Sequence, residues 1–108
     1  MPARTLKEFN DEVRFAIDSA VFGLMGQGVL SSLYRHLKDQ YDITPEKVPS
    51  RLDILFETLE RIFGEAGART IGKAIARRFY FRMGLKFMEA ENLRLQDYLE
   101  LAKKELGL

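Results

Sequence analysis

The side chains in this sequence that could do covalent chemistry are few. It has no cysteine and a single histidine, His36. Disulfides, thiolate metal sites, cysteine nucleophiles and His-rich metal sites are thereby removed together. Ser31, Ser32 and Ser50 lie outside any G-x-S-x-G turn that would expose a nucleophile. Acid pairs such as Asp11–Glu12 and Glu57–Glu60 fall on the solvated faces of amphipathic helices, where charge needs no special role. His36, on a helix flank beside Arg35, reads as a partly exposed helix residue. The run Gly23-Leu24-Met25-Gly26-Gln27-Gly28 has the order G-x-x-G-x-G. It lacks both the preceding strand and the Lys-Ser/Thr ending of a phosphate-cradling loop. No catalytic residue, metal ligand or cofactor site emerges, and no small-molecule substrate is indicated. The expectation is a protein that is not an enzyme.

The remaining chemistry is ionic. Net charge is only +1, from 17 Lys and Arg against 16 Asp and Glu, in 108 residues. The charges are unevenly spread, however. Arg69, Lys73, Arg77, Arg78, Arg82 and Lys86 fall between Ala66 and Met88 with no acid among them, leaving the rest of the chain at −5. At about 100° per residue, Arg69, Lys73 and Arg77 share an arc with Tyr80. Ile71, Ala74, Ile75, Phe79, Phe81 and Met83 occupy a broad opposite arc, and Arg78 and Arg82 fall inside it. An unpaired buried charge costs several kcal/mol, so something anionic must meet these two guanidinium groups.

Three arrangements satisfy that demand. Both arginines could pair with carboxylates from other helices of the same chain, their stems packed and their heads reaching water. They could form an interface with an acidic protein partner or a second copy of the chain. Or they could build an anion or nucleic-acid site with neighbouring aromatics. Phe15 and Phe22, seven apart on the charged side of the first helix, are candidate apolar anchors for such an interface. A competing reading places phosphate contacts on Arg69, Lys73 and Arg77, with affinity falling steeply in salt. The acidic balance elsewhere opposes the broad approach of a nucleic-acid backbone.

The elements that carry these residues are helical. Leu6, Phe9, Val13, Ile17, Ala20 and Val21 recur at helical spacing over 5–22, with Thr5 and Glu8 forming a capping box. Residues 23–28 read as a connector, and Val29 to Tyr41 as a second helix. Thr44-Pro45 starts a short turn that Pro49 limits. Ser50 is expected to cap a helix ending at Gly64, which is followed by another over 65–83 that Gly84 stops. Residues 85–92 resist assignment, with 85–88 a candidate short extended piece. A last helix runs from Leu95 to Leu106. The fold class is therefore all-α: a single helical domain over 1–108, core about 5–106, forming a small bundle of four long helices plus a short proline-bounded turn. No apolar run is long enough for a membrane span. No signal-peptide pattern opens the chain, so a cytoplasmic location is expected.

Several short stretches resemble a known family. Leu33-Tyr34-Arg35-His36-Leu37, Tyr41-Asp42-Ile43, Val48-Pro49, Leu59-Glu60-Arg61-Ile62-Phe63-Gly64 and Met83-Gly84-Leu85 are similar to the small archaeal helical domains called Nitrosopumilus output domains. The likeness covers roughly Val13 to Leu106 and its motifs are structural. The Gly26-Gln27-Gly28 stretch departs from the serine-type cap expected before the second helix. The resemblance implies an archaeal cytoplasmic protein whose helical body serves signal output or protein contact, with no catalytic residues.

Overall fold

A computed structural model describes residues 5–108. The chain forms α1 (Leu6–Met25), α2 (Gln27–Tyr41), a 3-10 turn (Pro45–Ser50), α3 (Leu52–Met83) and α4 (Leu95–Leu106), with no strand among the described residues. Thr5 begins α1 as its spacing to Glu8 dictates. Its hydroxyl accepts the Glu8 N–H at 3.1 Å, and the Glu8 carboxylate accepts the Thr5 N–H at 3.1 Å. Gly84 and Gly107 close α3 and α4 in left-handed conformations, the ordinary glycine stop.

Three boundaries differ from the expectation. The connector read over 23–28 is one residue, Gly26, which breaks the helix at φ 90° and ψ 172° while Gly23 and Gly28 stay helical. Three glycines lower helix propensity over the whole stretch, but one backbone reversal suffices to turn the chain. Gly64 does not end a helix with an ordinary cap. At φ 79° and ψ 172° it kinks α3 into helical segments 52–63 and 65–83 with no loop between them. Ser50 caps nothing, because the 3-10 turn extends over it and its hydroxyl donates to the Lys47 carbonyl at 2.8 Å. Arg51 takes the cap position of α3 instead. The extended piece proposed for 85–88 is irregular backbone.

α1 lies at the centre. It folds back on α2 through Gly26, packs along segment 65–83 and touches the 3-10 turn. Its buried stripe of Phe9, Val13, Ile17 and Val21 meets Leu33 and Leu37 from α2, Val48 from the turn, and Ile71, Ile75 and Phe79 from α3. α4 closes the far side. There Tyr98 stacks on Phe87 (centroids 4.8 Å apart) and accepts a hydrogen bond from the Ala90 N–H at 2.9 Å. That contact anchors the irregular segment that returns the chain from α3 to α4.

Candidate interaction surface

The buried stripe of segment 65–83 is narrower than the apolar arc read from the sequence. It centres on Phe79, with Ile71, Ile75, Ala76 and Met83 around it. Phe81 lies about 200° from Phe79 on the helix and is 87% exposed. Tyr80, grouped above with the basic arc, is buried instead. Its ring fits between Phe87 and Tyr98, and its hydroxyl donates to the Tyr98 carbonyl at 2.5 Å. Burial, with Glu105 nearby, pushes its pKa up. Arg78 and Arg82 therefore sit at the margin of the stripe that faces α1, with stems against the helix and heads open to water.

Their environments differ. Arg82 reaches α1 and binds the Glu12 carboxylate through two nitrogens, the second at 3.3 Å, with its guanidinium 4.0 Å above the Phe15 ring centroid. This is the intrachain pairing considered above, joined to a cation–π contact. Arg78 reaches the Ser19 hydroxyl at 2.6 Å, and among the described residues no carboxylate lies within 4 Å of it. Its head lies across Gly23, where a β-carbon would stand 2.8 Å from Nη2. Sequence reasoning misses Ser19 and Gly23 as site residues, since neither type signals the approach of a side chain 59 or 55 positions away.

Phe15 and Phe22 are 51% and 54% exposed and project from the same side of α1. The four residues expected to form an interface, Arg78, Arg82, Phe15 and Phe22, thus come together, and Phe81 joins them. A groove of about 670 Å³ runs between α1 and α3, lined by Phe15, Ser19, Arg77, Arg78, Phe81 and Arg82. A hollow of about 480 Å³ adjoins it, lined by Phe15, Asp18, Phe22, Gly23 and Arg78 among others. Arg78 belongs to both parts of this aromatic trough, and of the three arginines that line the groove (Arg77, Arg78 and Arg82) it is the one without a carboxylate among the described residues.

On the α2 side of the trough, the Tyr34 hydroxyl donates to the Asp18 carboxylate, with Arg14 Nε 3.8 Å from the same group. Burial, followed by the Asp18 hydrogen bond and charge, pushes the Tyr34 pKa up.

The three residues expected to contact phosphate do not form one free cationic stripe. Arg69 pairs with Glu65 at 3.4 Å and Arg77 with Glu89 at 2.9 Å, and Lys73 is partly buried. His36 stands edge-on to Tyr41 (centroids 6.2 Å apart) and lines a separate apolar groove with Val29, Ile62 and Phe63. Among the described residues, no three His, Cys, Asp or Glu side chains are grouped to hold a metal ion. Among them also, no helix is long and apolar enough to cross a membrane.

Neither protein-family models, nor curated proteins, nor solved structures match this chain.

Proposed function

We propose that this chain is a non-enzymatic helical interaction module, a cytoplasmic signal-output or regulatory domain that works through protein–protein contact at the α1–α3 face. One observation carries the reading. Arg78 has a hydroxyl partner but no carboxylate, and Phe15, Phe22 and Phe81 stand exposed around it. Aromatic and arginine side chains are the types that dominate protein interfaces. The resemblance to archaeal output domains points the same way.

Nucleic-acid binding through Arg69, Lys73 and Arg77 is the competing reading. Two of those cations already meet carboxylates, which would have to be displaced. The test compares the wild-type chain with F15S/F22S/R78E in native-cell extract, by sedimentation of the tagged protein. Wild type is expected in a species larger than the 12.5 kDa monomer, and the folded triple variant is expected to return to monomer size. Identical sedimentation of the two chains overturns the reading. A low-salt shift of duplex DNA that R69A/R77A abolishes favours the alternative.

A further inference from the structure

We infer that the occupant of the aromatic trough is a second copy of this chain, with the two α1 helices running parallel about a two-fold axis. The inference rests on the interaction reading above and names its partner. It comes from the charge order across α1. Taking Phe15 as zero at about 100° per residue, Phe22 lies about 20° away. Asp18 and Arg14 fall on that same side, about 60° and 100° round, and Ser19 and Glu12 on the other, about 40° and 60° round. The geometry agrees. Asp18 and Arg14 turn towards Tyr34 of α2, while Ser19 and Glu12 hold Arg78 and Arg82 of α3. The Phe15–Phe22 crest therefore has two rims. One reads Arg14 (+) then Asp18 (−) along the helix. The other reads Glu12, its charge already met by Arg82, and then Arg78 (+) at the height of Ser19.

A two-fold axis parallel to α1 lays the first rim of one copy against the second rim of the other. Asp18 then faces Arg78 at heights differing by about 1.5 Å. This contact occurs twice. Phe15 packs on Phe15 and Phe22 on Phe22, a spacing of seven that keeps both in one two-helix seam. A two-fold axis perpendicular to α1 that seats Phe15 on Phe22 of the other copy instead sets Asp18 against Asp18 and Arg78 against Arg78. The parallel pair has the self-complementarity that an isologous contact needs. A standard interface covers about 800 Å² per partner, about an eighth of this chain's 6498 Å² surface. α1, about 30 Å long, with Phe81 beside it provides a face of that scale.

The experiment uses the full chain. Sedimentation equilibrium is expected to show a concentration-dependent dimer, weakened roughly tenfold or more in R78D and in D18R. Mixing R78D with D18R restores one Asp18–Arg78 contact and creates its reverse, so the mixture is expected to dimerise when neither variant alone does. Because Asp18 also serves the fold, a thiol test stands beside it. The native chain has no cysteine, so F22C introduces the only one at a seam position that meets itself. L24C is the control, 52% exposed and about 180° from Phe15. Mild oxidation is expected to link F22C, not L24C. Monomer at all concentrations up to millimolar, or equal linkage of the two thiols, overturns the inference. Pure monomer with a large, substitution-sensitive species in extract overturns self-pairing alone and leaves the module reading standing.

Discussion

Gly23 lies within α1 and keeps its helical conformation, so what its missing side chain provides is space. An alanine there gains about 1 kcal/mol of helix propensity but puts a methyl group 2.8 Å from the Arg78 guanidinium. The head of Arg78 is the end of a flexible chain and can move away at little cost. Gly23→Ala is therefore expected to leave unfolding stability unchanged or raise it by up to about 1 kcal/mol, while Arg78 leaves Ser19 and dimerisation weakens. Urea unfolding and sedimentation on one preparation read both. Tyr34 presents the reverse case. Its hydroxyl donates to Asp18, and removing it in Tyr34→Phe is expected to cost about 1–2 kcal/mol at neutral pH. The pH dependence follows from its raised pKa. Above the ordinary tyrosine value of about 10, the unfolded chain loses the proton before the folded one does. The unfolded state then binds fewer protons, so stability falls as pH rises. The wild-type decline above about pH 10 is expected to be steeper than that of Tyr34→Phe. Tyr80, also raised, supplies the part that persists in the variant.

Glycines of one residue type do different jobs in the helices, which explains what the sequence made legible. The apolar periodicity placed every helix, and α4 begins and ends at the residues it indicates. The Thr5–Glu8 box and the Gly84 stop are local chemistry, complete within a few residues, and so were readable. Gly26 and Gly64 break their helices in the same conformation, with ψ near 172°. Gly23 and Gly28 sit nearby in sequence as ordinary helix residues. Composition cannot tell these apart, because tertiary packing decides which glycine turns the chain. The site was legible to a similar depth. Arg78, Arg82, Phe15 and Phe22 stand out as residues that contradict their helical faces, and that contradiction is local. That Ser19 and Gly23 receive Arg78 depends on the register between α1 and α3, which no local pattern encodes. A direct comparison at two glycines follows. At Gly64 a side chain would be forced into a conformation reserved for glycine, so Gly64→Ala is expected to cost about 1–3 kcal/mol. Gly28 is helical with open space around it, so Gly28→Ala is expected to gain about 0.5–1 kcal/mol. Urea midpoints should move in opposite directions with unchanged slopes.

At the scale of the molecule, stability is spread unevenly, because the elements share the core unequally. α1 and segment 65–83 bury a full side each, through Ala16, Ile17 and Ala20 against Ile75, Ala76 and Phe79. α2 leans on α1, and an apolar groove stays open between it and segment 52–63, lined by Val29, Leu33, Ile62 and Phe63. The return segment from Leu85 to Arg94 has no helix of its own. It is held by side chains: Phe87 against Tyr98, Glu89 on Arg77, and the Ala90 N–H on the Tyr98 hydroxyl. Amides open with free energies that follow how much buried contact must be released. Native-state hydrogen exchange is therefore expected to be slowest in the middle of α1 and over 71–80, faster in α2, and fastest across 85–94, with Ala90 the slow exception in that segment. Tyr98→Phe keeps the ring stacked on Phe87 but removes the oxygen that accepts the Ala90 N–H. It is expected to bring Ala90 to the rate of its neighbours and leave the α1 rates unchanged. If the α1 rates rise in parallel with Ala90, the return segment is not a separately held strap, and α4 and the α1–α3 pair unfold as one unit.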